Sequence, residues 1–221
     1  MTSPSFIYDP PETRTLPIIY QDDAVLVVNK PSGLLSVPGR LEHHKDSLFL
    51  RLLAIYPDVL TVHRLDMSTS GLMVFARGPV SHRALSRQFE NRRVEKSYLA
   101  DVWGVPKAEQ GEVTLPLVRD WPNRPRQKVC HDTGKPSHTH WRVISRGDHT
   151  ARLELTPLTG RTHQLRVHLA AIGHPILGDE FYGNGQSETM AERLCLHAAG
   201  LTFNHPVSSE RMSFQSEASF D

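Results

Sequence analysis

Residues 63–77 read HRLDMSTSGLMVFAR, a polar loop that leads directly into an apolar run. The run from Gly71 to Ala76 is short and apolar, which predicts a buried strand. Loops on rigid scaffolds carry a large share of the reactive groups in proteins. Asp66 is the acidic residue of this loop, although a lone loop aspartate is more often a turn-forming residue. The segment therefore predicts a strand that carries a candidate functional loop.

The rest of the chain predicts many strands and few helices. Strands are expected within residues 18–29 (interrupted by a turn at 21–23), 94–103, 112–118, 127–131, 138–145, 150–156 and 194–203. Helices are expected after a cap at Asp46 or Ser47 and ending at Pro57, over 80–90, and over 162–172. Because the helices do not alternate strictly with strands, this pattern favours an α+β fold with a large mixed, mainly antiparallel sheet and flanking helices.

The chain reads as one domain with short ends. We expect an extended N-terminal arm over residues 1–17, a single domain over 18–216 and a tail over 217–221. The segment from Val207 onward is polar and is expected to fray.

Composition points to a protein of the cytoplasm. Of its 221 residues, 38% are hydrophobic, enough for a sizeable core. The sequence contains no run of roughly 18 apolar residues, and its start lacks the pattern of a signal peptide. Cys130 and Cys195 are too few and too far apart for a CxxC clamp or a disulfide framework, which favours a reducing compartment.

Charge is unevenly distributed although the net charge is only +1. Residues 77–142 hold 13 Lys/Arg against 7 Asp/Glu, a net charge of +6, whereas residues 1–76 carry −2 and residues 143–221 carry −3. Near the end of the basic third lie Arg119, Arg124, Arg126, Lys128, Lys135 and Arg142. Such a run suits a phosphate-rich partner, but an ordinary solvated surface is the simpler alternative.

A second segment, RRVEKSYL over residues 92–99, places cations beside Tyr98 at the start of a predicted strand. An extruded nucleic-acid base needs a stacking ring with cations nearby. Considered in isolation, a core position for Tyr98 is the more frequent situation.

A third segment, GRTHQLRVH over residues 160–168, opens a helix, and helix N-termini attract anions. His163 and His168 invite a metal hypothesis. Five residues on a helix set two side chains roughly 140° apart, against about 40° for the i,i+4 pairs that chelate well. We therefore expect no metal here. The sequence also lacks the motifs GxxxxGK[ST], GxGxxG and GxSxG, so nothing indicates a nucleotide, NAD or a serine hydrolase.

Four motifs together resemble the RluA-type pseudouridine synthases. They are HRLDMSTSG, EKSYLADVWG, GRTHQLRVHLAAIGHPILGDEFYG and LCLHA, which occur in the family's order within a similarity that spans about residues 17–216. The resemblance implies an enzyme that isomerises uridines in RNA without a cofactor. It implies that Asp66 is the nucleophile, that Tyr98 lies against the target base and that Arg166 pairs with Asp66. It further implies that Leu196 lines the uracil pocket.

Other expectations complete this hypothesis. Arg64 would fill the space that the extruded base leaves or contact the RNA backbone, while Arg124, Arg126 and Lys128 would contact phosphates. Two further stretches, NKPSGLLSVPGR and DWPNRPRQKVCHDTGKPS, resemble the family's dual-specificity branch, which lacks an N-terminal S4 domain. That resemblance implies two substrates, a 23S rRNA hairpin loop and a tRNA anticodon stem-loop. We expect no S4 domain, no membrane association and a monomer.

Three alternatives stay open at this stage. The chain could be a non-catalytic RNA-binding module, although binding alone needs no carboxylate facing RNA. It could be a pseudouridine synthase of different specificity, such as rRNA only. It could also be a glycoside-type hydrolase that uses Asp66, for which a second carboxylate would be expected.

Overall fold

The computed structural model describes residues 8–12 and 16–220. Its strands are β1 (Ile18–Gln21), β2 (Val25–Lys30), β3 (Val59–Thr61), β4 (Ser70–Arg77), β5 (Glu95–Trp103), β6 (Gln110–Val113), β7 (Leu117–Arg119), β8 (Gln127–Val129), β9 (Thr139–Arg146), β10 (Thr150–Pro157), β11 (Leu196–Asn204) and β12 (Arg211–Gln215). Its α-helices are α1 (Leu48–Leu53), α2 (Gly78–Glu90), α3 (Gln164–Ala171) and α4 (Gln186–Thr189), and a 3-10 turn spans Glu42–His44.

One large sheet organises the described chain. Its main path runs β1-β2-β4-β11-β5-β10-β9-β6, with β3 paired to β4 and β12 paired to β11. The pair β11–β4 is parallel, and the other pairs of this sheet are antiparallel. A separate hairpin is formed by β7 and β8. The predicted α+β fold with a mixed, mainly antiparallel sheet is confirmed.

The central strand β4 is buried from Ser70 to Ala76 because both of its faces are covered. On one face, Val74 belongs to a cluster with Leu85 of α2. On the other face, Phe75 belongs to a cluster with Leu48 of α1. This double burial explains why the strand is apolar without alternation. Truncating Phe75 to alanine would cost about 3–5 kcal/mol of stability.

The parallel pairing of β4 with β11 depends on Gly71. Its φ is +114°, and a Cβ at this position would lie 2.4 Å from the carbonyl oxygen of Ala198. A side chain therefore does not fit without a backbone shift. This close approach brings the loop that precedes β4 next to the start of β11.

Of the two expected caps of α1, Ser47 is the capping residue, because its Oγ accepts a hydrogen bond from Leu50 N at 3.3 Å. One expected strand needs correction. The strand expected over 112–118 is two strands, β6 and β7, with Pro116 between them. Because proline has no backbone N–H to donate to a strand ladder, Pro116 in the sequence already indicated an interruption of the expected strand.

The polar segment from Val207 does not fray along its length, because residues 211–215 form β12 on the edge of β11. Its alternating exposure places Met212 and Phe214 on the inner face, where Phe214 stacks on Phe203 at 5.9 Å between ring centroids. The period-2 alternation of RMSFQ was the available signal.

The ends of the chain are described in part. Of the arm predicted over 1–17, residues 1–7 and 13–15 lie outside the described residues, as does Asp221 of the predicted tail. Tyr8 is buried, and its hydroxyl donates to the carbonyl of Asp46 at 2.9 Å. Among residues 8–12 and 16–220, no helix has the length and apolar content needed to cross a bilayer.

Candidate active site

An open cleft of about 790 Å³ is lined by side chains from distant parts of the sequence. Five of the residues singled out from the sequence line it: Arg64, Asp66, Tyr98, Arg166 and Leu196. They come from the loop before β4, from β5, from α3 and from β11. The sheet order explains their meeting, since β4, β11 and β5 are consecutive neighbours.

Asp66 is held in place through both of its chain neighbours. The carbonyl of Leu65 accepts a hydrogen bond from Ser36 Oγ at 2.7 Å, and the amide of Leu65 donates back to that oxygen at 3.1 Å. The carbonyl of Met67 accepts from Lys30 Nζ at 2.9 Å. With its neighbours fixed, the Asp66 side chain is 21% exposed and reaches the cleft.

Two nitrogen-bearing side chains face the Asp66 carboxylate. Arg166 Nη1 lies 4.0 Å from Oδ2, and His163 Nε2 lies 3.9 Å from Oδ1. Both distances exceed hydrogen-bond length. The positive charge of Arg166 therefore lies near the carboxylate, while the carboxylate oxygens stay accessible to a substrate.

Arg166 takes Asp179 as its principal partner. Its Nε and Nη2 donate to the two oxygens of Asp179 at 2.8 and 2.6 Å, and both side chains are buried. Asp179 Oδ1 also accepts from the amides of Phe181 and Tyr182. Burial lowers the pKa of Arg166, but the hydrogen bonds and charge of Asp179 outweigh it and raise that pKa above its ordinary value. The sequence motifs predicted Asp66 alone as the partner of Arg166, and Asp179 was missed.

His163 connects the cleft to Tyr182. It directly precedes α3 and has a φ of +55°, a left-handed conformation that is uncommon outside glycine. Its Nδ1 lies 2.7 Å from the hydroxyl of Tyr182, and that hydroxyl accepts from the amide of Gln127 at 2.7 Å. Burial lowers the pKa of His163, with the charge of Asp66 opposing this effect, so the neutral imidazole is favoured. The other ring nitrogen, Nε2, faces Asp66.

Lys30, the last residue of β2, is a charged residue to which the sequence assigned no role. It is fully buried, and its Nζ donates to the carbonyls of Pro31, Leu34 and Met67. Burial lowers its pKa to about 7, whereas the charge of Asp66 acts in the opposite direction. Three carbonyl acceptors match the three donors of an ammonium group. The residue therefore ties the turn after β2 to the loop of Asp66.

Tyr98 and Leu196 form walls of the cleft. Tyr98 lies in β5 opposite Ala198 of β11, and Leu196 is 3% exposed at the start of β11. Burial, and to a smaller extent the charge of Asp66, raise the pKa of Tyr98 above its ordinary value. The phenol is therefore protonated at neutral pH, available for stacking or for donating a proton.

The cations expected to contact phosphates do not line the cleft. Arg124, Arg126 and Lys128 lie in the loop and second strand of the β7–β8 hairpin. This hairpin is linked to the cleft through Tyr182, whose hydroxyl contacts both Gln127 and the cleft residue His163. Arg126 lies over the ring of Phe181 at 5.7 Å, and Lys128 is 3.6 Å from Asp120. The last cation of the basic run, Arg142, lies in β9 of the large sheet, where it pairs with Glu154 at 2.7 Å.

His163 and His168 have different environments, as the helical spacing suggested. His168 is buried, with Nδ1 at 3.0 Å from Thr139 Oγ1 and Nε2 at 2.9 Å from the carbonyl of Leu115. Its ring nitrogens are thus engaged with protein groups. His163 points toward Asp66 instead.

Similar proteins place this arrangement in a known family. The family model described as RNA pseudouridylate synthase matches residues 24–171. The chain is 55% identical over 214 residues to "Dual-specificity RNA pseudouridine synthase RluA" of Escherichia coli K12, a similarity that covers 96% of this chain and 98% of that one. It is 56% identical over 206 residues to the protein of the same name from Vibrio vulnificus CMCP6, covering 91% of this chain and 82% of that one.

Solved structures agree with the sequence relatives. The structure of "Human RNA Pseudouridylate Synthase Domain Containing 1" is 31% identical with a TM-score of 0.78, and it covers 95% of this chain and 86% of that chain. "Human RNA Pseudouridylate Synthase Domain Containing 4" is 26% identical with a TM-score of 0.73, over 91% and 88% of the two chains. This chain belongs to the RNA pseudouridylate synthase family.

Proposed function

We propose that this chain converts chosen uridines of RNA to pseudouridine with Asp66 as the nucleophile. The observation that carries the proposal is the setting of Asp66 in the cleft. Its carboxylate is accessible, its chain neighbours are pinned by Ser36 and Lys30, and a buried guanidinium lies 4.0 Å away. A nucleophilic carboxylate must be ionised, and a nearby cation favours that form.

The reaction is an isomerisation and balances without a cofactor. The bond between N1 of uracil and C1′ of the ribose breaks, the base turns, and a bond between C5 and C1′ forms. A proton leaves C5, and N1 gains one. Nothing is oxidised or reduced, so the chemistry asks only for a nucleophile, a proton carrier and a pocket that holds the detached base.

Tyr98, Leu196 and Arg64 would hold the target base outside the RNA fold. Extruding a base costs a few kcal/mol, and stacking on an aromatic ring returns about 1–3 kcal/mol. Tyr98 supplies the ring and Leu196 an apolar wall. Arg64 is exposed at the cleft, where it could occupy the space that the base vacates or contact the backbone.

We also propose a dual substrate, a hairpin loop of 23S rRNA and the anticodon stem-loop of tRNAs. The proposal draws on the dual specificity stated in the names of relatives that are 54–56% identical. Arg124, Arg126 and Lys128 would track RNA phosphates beside the cleft, which positions the RNA without reading its sequence. The chain would act as a monomer in the cytoplasm, where both RNAs are found.

The substitution Asp66→Asn tests the nucleophile because it preserves shape and removes charge. We expect turnover in a tritium-release assay on a minimal stem-loop to fall at least about 10⁴-fold, a barrier increase of roughly 5.4 kcal/mol. RNA affinity should change little. Asp148→Asn, at an exposed turn outside the cleft, is the matched control and should retain full activity.

Retention of a tenth of the wild-type turnover in Asp66→Asn would remove Asp66 from the reaction. A wild-type chain that binds the stem-loop without forming pseudouridine would instead support a non-catalytic RNA-binding module.

A further inference from the structure

A group of three potential metal ligands lies on the outer face of the sheet, outside the cleft. It consists of Glu112 in β6, His138 directly before β9 and His140 in β9. One ligand atom from each residue lies within 4.8 Å of the others. None of the three residues lines the cleft. Glu112 and His140 line a neighbouring depression of about 450 Å³, which shares one lining residue, Thr156, with the cleft.

Strand geometry explains why these side chains converge. His138 and His140 are two residues apart in an extended segment, so both project from the same face. Glu112 is the direct cross-strand partner of His140. Opposed side chains of an antiparallel pair start about 4.5–5.5 Å apart at Cβ, close enough to share one ion.

The separations suit a small divalent cation. His138 Nε2 lies 2.9 Å from Glu112 Oε2, and His140 Nδ1 lies 3.8 Å from the same oxygen. Ligands around a tetrahedral zinc at about 2.0–2.1 Å are separated by roughly 3.3 Å, a value between these two distances. The three side chains are partly exposed, so small rotations can bring them to that spacing.

The backbone that carries His138 is fixed. Its amide donates to Thr159 Oγ1 at 2.9 Å, and its carbonyl accepts from Gln164 Nε2 and from the amide of Leu158, both at 3.0 Å. The site is therefore anchored to the same helix α3 that carries Arg166. A held backbone reduces the ordering that metal binding requires.

We propose that Glu112, His138 and His140 form a Zn²⁺ site on the outer face of β6 and β9. Two imidazoles and a carboxylate form a donor set typical of zinc. Three protein ligands leave a fourth position open toward the depression. The reaction at Asp66 does not pass through this ion, because its ligands lie outside the cleft.

Zinc titration of the chelator-treated full chain tests the site. By isothermal calorimetry with Zn²⁺ alone, the wild type should bind one ion per chain, and Glu112→Gln or His140→Ala should weaken that binding at least about tenfold. Zinc should also raise the thermal unfolding midpoint of the wild type, and not that of His140→Ala. Two controls should match the wild type: His149→Ala, at another exposed histidine, and Cys130→Ser, which removes the more exposed thiol.

Circular dichroism would verify that each variant is folded before titration. Absence of saturable zinc binding by the wild type would overturn the proposal. So would unchanged affinity in His140→Ala, or a loss of binding in Cys130→Ser that assigns the ion to the thiol.

Discussion

Asp179 is the residue on which the orientation of Arg166 depends. The pair is bidentate and buried, with side-chain exposures of 4% and 0%. Removing Arg166 would leave a buried unpaired carboxylate, at a cost of about 3–5 kcal/mol. A loss of activity in Arg166→Met would therefore mix stability with catalysis, and a subtler change at Asp179 is more informative.

Asp179→Asn should lower kcat by about 10²-fold and leave KM for the stem-loop nearly unchanged. The amide keeps the shape but weakens the clamp on Arg166, and misplacement of a catalytic group by 1 Å can cost that much. Steady-state kinetics on the stem-loop measures both constants. Asp101→Asn is the matched control, because Asp101 also holds an arginine through two hydrogen bonds of 2.7 and 2.8 Å, but that arginine, Arg152, does not line the cleft as Arg166 does. Equal effects of the two substitutions on kcat would show that Asp179 has no special role in positioning.

Tyr98→Phe separates stacking from proton transfer. The raised pKa keeps the hydroxyl protonated at neutral pH, and the substitution removes that hydroxyl while keeping the ring. We expect unchanged RNA affinity and a fall in turnover of about 10²–10⁴-fold, the range for loss of a general acid or base. A denaturing gel should show RNA retained on the enzyme after glycosidic cleavage. Near-normal turnover would leave Tyr98 as a stacking surface alone.

The residues of the cleft were predictable from the sequence to different degrees. Asp66, Tyr98, Arg166, Leu196 and Arg64 stand in motifs that resemble a family, and they do line one cleft. Lys30 and Ser36 were not recognised because their contacts, with Met67 and Leu65, span 37 and 29 positions. Local patterns carry no information about which distant carbonyl a side chain will reach. Asp179 was visible within the third motif, but nothing local to it indicates a partner.

At the scale of elements, the buried central strand was easier to predict than the short edge strands and the shortest helix. β4 was evident from its apolar run because burial on both faces leaves a strong signal. β3 and β12 are edge additions of three and five residues, and α4 has four residues, so their local signals are weak. The pairing of β4 with β11 joins residues that are 127 positions apart in the sequence, such as Ser70 and His197, and follows from the whole fold.

The β7–β8 hairpin is the element that should respond to salt. Arg124, Arg126 and Lys128 lie in its loop and second strand. Replacing all three with alanine should make the slope of log affinity against log salt concentration less steep. The slope should change by about one for each phosphate that is no longer neutralised, and so by up to about three. Filter binding across a range of salt concentrations measures the slope. Arg146→Ala, at an arginine paired with Glu109 at 2.9 Å, is the control and should leave it unchanged. An unaltered slope in the triple variant would place the RNA on another face.

At the scale of the whole molecule, buried histidines should make the fold sensitive to acid. His197 is 3% exposed and links β4 to the segment after β12, with Ser70 Oγ at 2.9 Å and Ser216 Oγ at 3.1 Å. Burial, with a smaller effect of Arg193, lowers its pKa to about 4. The unfolded chain takes up the proton first, near pH 6.5, so stability is lost as the pH falls below that value.

The free energy of unfolding of the wild type should fall relative to His197→Gln by roughly 2 kcal/mol between pH 7.5 and pH 5. Urea unfolding at several pH values measures this difference. His149→Gln, at an exposed histidine, should follow the wild type throughout. If the free energies of unfolding of the wild type and of His197→Gln changed with pH in parallel, His197 would not resist protonation in the folded state.

Mapping pseudouridines in cells shows whether Asp66 is needed to form pseudouridine in both 23S rRNA and tRNA. Pseudouridines are mapped in total RNA from a strain without the gene and from the same strain complemented with the wild type or with Asp66→Asn. We expect the deletion to remove at least one pseudouridine in 23S rRNA and one in a tRNA anticodon loop. The wild type should restore both sites, and Asp66→Asn should restore neither. A deletion that removes no pseudouridine, or restoration of the sites by Asp66→Asn, would contradict this expectation.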